Sequence, residues 1–371
     1  MKIDLRAIVD ASAKILVRLF LSIVVPFILA AVVIQLTGHD ARAALGALAS
    51  GSTAIDPGPP LAFDSFNAAR IAAEATPLLL CGLAVSLCLR AGLFNIGAAG
   101  QMTLGALAAA WIGNKMTVST GGAPSMLAIV PLVAAAVAGG LVGAVSGWLR
   151  AYRNVHEVIS TIMLNYVVID VAQYFVANQL REPGSLAVQT AKLPMSLWLA
   201  PLMPGTSFTT GAIIALVALA VCAVLIARTA FGFRVRALGA GPDAARATGM
   251  PIRATTVQIM ILGGMLAGIA GGVQVLGNYH RCIADVAGNY GFQGIAVALL
   301  AGGSAPGMLL SSLFFGGLNN GATIMQLQTG VPAPLVDVVQ AIVIVASALR
   351  TFGPVRLPRR PLPTAAKEAA A

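Results

Sequence analysis

The sequence predicts an all-α integral membrane protein of about ten transmembrane helices arranged as an inverted five-plus-five repeat, and three observations carry that prediction. Of the 371 residues, 58% are hydrophobic and only 10% are charged, a mixture from which no polar protein surface can be built. Ten apolar runs follow one another along the chain, some long enough for ~30 Å of hydrocarbon and others shorter but bounded by breakers. The third observation is the placement of the basic residues. With the N-terminus inside, only Arg42, Arg70, Lys115, Arg181, Lys192 and Arg281 of the 23 Lys and Arg fall on the outer side. That asymmetry is the positive-inside pattern, and it puts both termini in the cytoplasm. It also explains the net charge of +10 without nucleic acid.

The runs lie at roughly 19–36, 70–89, 101–113, 125–148, 157–178, 209–227, 255–277, 291–303, 305–327 and 334–350. The first follows a basic segment (1–18) and precedes Ala41-Arg42-Ala43, which looks like a signal-peptidase site. Its apolar stretch from Leu19 to Leu36 exceeds a secretory h-region, so an uncleaved anchor is expected. The second run carries Glu74. The third opens from GLFNIGAAGQ (92–101), and the eighth from GNYGFQG (288–294). Irregular backbone survives at membrane depth only inside protein or beside water, because each unpaired N–H or C=O costs several kcal/mol in hydrocarbon. Broken segments at corresponding points of two halves are the sequence sign of a transport path at a repeat interface. Counted by spans, helices one to five and six to ten have opposite topology, hence the inverted repeat.

The fourth run contains Gly139-Gly140-Leu141-Val142-Gly143, small residues that suit close helix packing. The fifth places Glu157, Thr161 and Asn165 along one face, and the ninth places Asn319, Thr323 and Gln326 likewise. Charged and amide groups in a span turn inward because burial in lipid is costly. Glu74, Asn95, Gln101, Asn165, Gln293, Asn319 and Asn320 are therefore the candidate path residues. Interhelical hydrogen bonding without solute contact is the plainer role for any of the amides, but for Asn95 and Gln101, and for their counterpart Gln293, solute contact is the expectation, because they sit where the backbone is already irregular.

Outside the spans, Thr37–Ala69 and Gln179–Phe208 are outward-facing loops rich in Pro, Gly and Ser. The cytoplasmic segment 229–254 differs. Within it Gly241-Pro242-Asp243 reads as a helix start capped by Asp243, and Gly249 as a C′ stop, giving a one- to two-turn helix over Ala244–Thr248. Such a helix is too short to stand alone and suits docking into another protein.

Signals of catalysis are missing. His39, His156 and His280 are scattered, no HExxH, GxSxG or Walker A sequence occurs, and neither catalytic residues nor metal ligands are expected. Cys81, Cys88, Cys222 and Cys282 lack metal-ligand spacing, and Cys81 and Cys88 are seven apart on one helix. Buried free thiols are the expectation.

FNIGAAGQ at Phe94–Gln101, EVISTIMLNY at Glu157–Tyr166, GFRVRALGAGPDAARATGM at Gly232–Met250 and GFQGIAVALLAG at Gly291–Gly302 together resemble the permease subunits of ABC importers for nucleosides and simple sugars, most closely the nucleoside-type branch. The resemblance covers nearly the whole chain. It implies a single permease domain (1–371, with a cytoplasmic tail at 352–371) in a bacterial inner membrane, without an ATPase site or cofactor of its own. The implied partners are a second permease subunit, two ATP-binding subunits that carry the ATP, and an extracytoplasmic substrate-binding protein. It assigns ATPase docking to the segment Gly239–Gly249, with Arg236, Gly239, Asp243, Ala244, Ala245 and Gly249 as the residues concerned. Two departures stand out: Ala99 replaces the acid usual before the GQ pair, and Gly241 replaces the usual Asn before the coupling proline. The alternatives are a stand-alone secondary transporter or channel for a neutral polar solute, and, within the importer reading, a simple sugar as cargo.

Overall fold

The computed structural model describes residues 28–56, 62–116, 127–332, 334–338 and 340–341. The expected N-terminal segment 1–18, residues 19–27 of the first run, most of the last run and the tail 352–371 lie outside these.

Residues 28–36 are helical, and a helix α1 (Ala41–Ser52) follows where a loop is expected. The Asp40 carboxylate starts it by accepting the N–H groups of Arg42 at 2.8 Å and Ala43 at 3.2 Å. Ala44, Ala47, Leu48 and Gly51 recur at helical spacing and are buried. A two-residue antiparallel pair, β1 (Ile55–Asp56) with β2 (Ala62–Phe63), is the only strand structure among the described residues. Asp64 then caps α2 (Ser65–Arg90), accepting from Phe66 N at 2.9 Å and Asn67 N at 3.0 Å, so this span begins before residue 70.

The chain continues through α3 (Ala98–Lys115), α4 (Ile129–Arg153), α5 (Glu157–Ala177), α6 (Gly211–Arg228), α7 (Ala230–Ala240), α8 (Pro242–Ala247), α9 (Ile252–Gln274), α10 (Tyr290–Leu300) and α11 (Ala305–Thr329). A π-helical turn, Val275–Tyr279, extends α9. Five helices among the described residues are long and apolar enough to cross a membrane: α2, α4, α5, α6 and α9 with its extension. The protein is an integral membrane protein on that composition. α10 is apolar but has 11 residues, about 16 Å at 1.5 Å per residue, half of the hydrocarbon depth.

α2 and α9 form the centre, and both are buried over most of their length. α4 packs along α9 with small residues at the contact, since a Cβ on Gly139 would sit 2.7 Å from Gly268 Cα. α11 packs on α1 and α2. α5 and α6 lie at the periphery with exposed apolar faces that include Ile159, Met163, Val167, Val217, Val221 and Val224. α3 lies against α9, and α10 lies against α2, so each short helix that follows a break packs on the long helix of the other half.

The first break is shorter than the sequence suggests, and the second begins and ends earlier. Irregular backbone covers 91–97 and 280–289, whereas Ala98–Gln101 and Tyr290–Gly294 already form helix. Tertiary contact overrides the weak helix propensity of glycine there. The segment 179–210 folds back as a cap over the end of α9: Leu199 N donates to Leu276 O at 3.0 Å, Leu193 N to His280 O at 2.8 Å and Thr190 N to Cys282 O at 2.9 Å. All four cysteines are buried free thiols.

Candidate functional site

The N-termini of α3 and α10 meet inside the fold. A Cβ placed on Gly291 would lie 2.6 Å from Ala99 Cβ, so this glycine is what permits the approach. On the α3 side the amides satisfy one another. Asn95 Nδ2 donates to Gln101 Oε1 at 3.0 Å, Gln101 Nε2 donates to Asn95 Oδ1 at 3.2 Å, and Gly97 N donates to the same Asn95 oxygen at 3.1 Å. Both side chains are fully buried. α5 holds this segment from behind: Thr161 Oγ1 accepts from Ile96 N at 3.3 Å and Asn165 Oδ1 accepts from Gly100 N. The stripe expected on α5 thus anchors the first break. Its third member, buried Glu157, pairs with Arg150 at 3.2 Å.

On the α10 side the polar groups line an opening of about 350 Å³ bounded by Glu74, Asn289, Tyr290, Gln293, Asn319, Thr323, Asp337 and Gln340. Three amides form a ring. Gln293 Nε2 donates to Asn319 Oδ1 (3.1 Å) and Gln340 Oε1 (2.6 Å), Asn319 Nδ2 to Gln293 Oε1 (2.9 Å), and Gln340 Nε2 to Asn319 Oδ1 (2.8 Å). Tyr290 OH donates to Glu74 Oε2 at 2.7 Å, and Asn289 Nδ2 to Asp337 Oδ2 at 2.9 Å. Glu74 also borders a second void lined by Thr209, Gln274 and Asn278. Of the path candidates, Glu74, Gln293 and Asn319 come together here. Asn320 does not: it turns to the α1–α11 contact and donates to Gly51 O at 2.8 Å and Asn67 Oδ1 at 2.6 Å. Asn289, Tyr290, Asp337 and Gln340 are additions that the sequence reading missed. The first two stand inside the GNYGFQG break and could have been drawn from it; the last two carry no signal until Asp337 meets Asn289 and Gln340 meets Gln293 and Asn319.

At the opposite end lies the candidate docking segment. Here α7 precedes α8, with Thr229 Oγ1 accepting from Gly232 N at 3.0 Å to start it. The sequence reading missed α7, whose Phe231, Phe233, Arg234 and Arg236 fall in what it took for loop ahead of the docking helix. Pro242 occupies the first turn of α8 and Gly241 is its cap, so Asp243 does not cap the helix as expected; it sits in the first turn with Arg246 3.7 Å away. The stop is as expected. Gly249 is left-handed (φ 76°), its N–H donates to Arg246 O at 3.0 Å, and Met250 N donates to Ala245 O at 3.2 Å, the paired bonds of a Schellman ending.

Ala245 is 5% exposed while Asp243, Ala244 and Ala247 are exposed. The buried alanine fixes α8 to its own chain, and the other three face outward. Gly239 has a backbone role, since a Cβ there would lie 3.0 Å from Arg90 C and 3.2 Å from Gly92 N. α7 is thereby tied to the start of the first break. Arg236 donates to Ile226 O at the end of α6. A concavity of about 1050 Å³ beside α8 is bounded by Gly92, Arg150, Asn154, Asp243, Arg246 and Arg253 among others.

A family model described as branched-chain amino acid transport system / permease component matches residues 67–348. The guanosine ABC transporter permease protein NupP of Bacillus subtilis is 36% identical over 278 residues, covering 73% of this chain and 78% of that protein. The glucose ABC transporter permease protein TsgB13 of Haloferax volcanii is 34% identical (75% of each chain), and the nucleoside ABC transporter permease protein NupB of Lactococcus lactis is 32% identical (76% and 79%). No solved structure matches. The chain belongs to the family of branched-chain amino acid transport system permease components, and it is a non-enzymatic permease subunit of an ABC importer that works with an ATPase and a binding protein.

Proposed function

We propose that this permease carries a nucleoside or a related neutral, hydroxyl- and amide-rich solute across a bacterial inner membrane. The observation that supports this most is the opening at α10. Its ring of Gln293, Asn319 and Gln340 offers donors and acceptors without net charge, and Tyr290 adds an aromatic face beside Glu74. A purine or pyrimidine needs both kinds of partner, and two of the relatives above are named for guanosine and nucleoside. The glucose relative keeps a simple sugar as the second reading, for which the amides alone would serve.

In this account Gln293, Asn319 and Glu74 line the path, and Asn95, Gln101, Asn165 and Asn320 hold the broken segments in place. Ten spans with both termini cytoplasmic form two inverted halves, in line with the exchange of α3 and α10 between α9 and α2. Two such permeases and two ATPases make the complex, with the outward face of α8 seated on the ATPase and an outer binding protein delivering the solute. Uptake of labelled guanosine by cells making the complete system, competed by unlabelled nucleosides and by glucose, tests the cargo. Competition by nucleosides alone is expected. Competition by glucose alone would transfer the assignment to sugars.

A further inference from the structure

A groove of about 400 Å³ opens between α6 and α11 with α2 as its floor, at the end of the fold that carries α8. Its shaft is apolar: Leu83 and Leu87 of α2, Leu219, Cys222 and Ile226 of α6, and Met308 of α11. Leu219 to Ile226 covers about 10 Å of helix rise. The mouth is basic. Arg90 and Arg236 both line it, and neither pairs with a carboxylate among the described residues. Each spends one N–H on a backbone carbonyl, Arg90 on Gly303 and Arg236 on Ile226. Those bonds hold the two guanidinium groups at the rim and leave further donors on each.

We propose that this groove binds an anionic phospholipid, with its phosphate between Arg90 and Arg236 and an acyl chain along the shaft. Charge complementarity selects that occupant. A neutral lipid would leave two cations at the headgroup level without a counter-charge, whereas basic pockets between helices on the cytoplasmic side take anionic headgroups. A soluble anion would gain nothing from the apolar wall. Placing the lipid in the cytoplasmic leaflet rests on the orientation proposed above, but the site itself does not.

The test uses the full chain purified in detergent, where no leaflet exists, so its result is independent of topology. Thermal unfolding is followed with added phosphatidylglycerol, phosphatidylcholine or inorganic phosphate. Phosphatidylglycerol should raise the midpoint by several degrees, and the other two should not. The doubly substituted Arg90→Gln/Arg236→Gln should lose most of that response. Ala227→Phe, which narrows the mouth from an exposed position and keeps both arginines, should lose it too while keeping the lipid-free midpoint. An equal response to phosphatidylcholine would reduce the groove to ordinary lipid contact. A response to phosphate would make it a free-anion site. An undiminished response in both variants would place the lipid elsewhere. A response to none of the three, with Ala227→Phe changing the oligomeric state, would mean that a second copy of the chain fills the groove. Each of these four outcomes overturns the proposal. If labelling then showed α8 to be extracytoplasmic, the lipid would be reassigned to the other leaflet and the site would stand.

Discussion

Gln101→Leu isolates the part played by the amide pair at the first break. The substitution removes two N–H···O bonds, at 3.0 and 3.2 Å, between side chains that are fully buried. Asn95 Oδ1 keeps Gly97 N–H at 3.1 Å, but Asn95 Nδ2 is left with no partner. An orphaned buried donor costs about 1–3 kcal/mol; hydrogen bonds within membrane bundles average about 0.6 kcal/mol. A loss of about 2 kcal/mol is therefore expected, and the unfolding midpoint of the purified chain should fall by roughly 2–3 °C, taking an unfolding entropy of ~2.1 cal/mol/K per residue over the 371 residues. Asn95→Leu should cost more, because Gly97 N–H is orphaned as well. The double variant should cost less than the sum of the singles, since replacing both partners removes the mutual orphaning. Midpoints from fluorescence-detected size exclusion give the cycle, and uptake by the assembled complex gives function. If Gln101→Leu melted with the wild type yet abolished uptake, the pair would be solute ligands and the scaffold assignment would fail.

The outward and inward faces of α8 should separate in a paired substitution: Ala244→Trp should insert and fold normally but lose co-purification with the ATPase, whereas Ala245→Trp, at a 5% exposed position, should destabilise the chain itself by about 1–3 kcal/mol through overpacking. Equal ATPase capture by Ala244→Trp and the wild type would remove α8 from the interface. Topology is read by labelling: a cysteine at Ala366 should react only from the cytoplasm and one at Gln189 only from outside, and reaction of both from one side would refute both-ends-in. The cap formed by 179–210 should weaken in acid. His280 stacks on Trp198 with ring centroids 3.7 Å apart and planes 7° apart; burial, with Lys192 and Arg281 nearby, lowers its pKa against an opposing backbone bond to Leu276. Folding thus favours the neutral ring, so the cap is at full strength above the ordinary histidine pKa of about 6.5 and loses stability as pH falls below it. His280→Phe should flatten the decline in melting midpoint between pH 8 and 5, and an unchanged slope would clear His280 of the effect.

The spans are legible because apolar length is the loudest signal a membrane chain carries, and α5, expected from residue 157, begins at Glu157. α1 escaped because ARAALGALASGS is too short and too small-residued to register as apolar; the Asp40 cap is a local mark of its start, while the buried set at helical spacing shows only once α1 packs on α11. The second break and Gln293 pointed to the α10 opening, yet Gln340 becomes visible only through its bonds to Gln293 and Asn319. Asn95 and Gln101 are expected from the sequence to line the path, whereas in the fold their amides bond each other. That they face each other depends on an extended turn before α3 that no period predicts. In a helix as short as α8, three alanines within four positions give no amphipathic stripe, so the sequence could not tell which of them turns inward.

ATP-driven uptake of guanosine into proteoliposomes holding the assembled complex, with Gln293→Leu and Asn319→Leu beside the wild type, reads the α10 opening most directly. ATP hydrolysis stimulated by loaded binding protein serves as the control for assembly. Loss of the ring amides should cut uptake about tenfold or more, equivalent to at least ~1.4 kcal/mol, while both variants assemble and hydrolyse ATP. Uptake at the wild-type rate in both variants would show that solute does not pass these side chains.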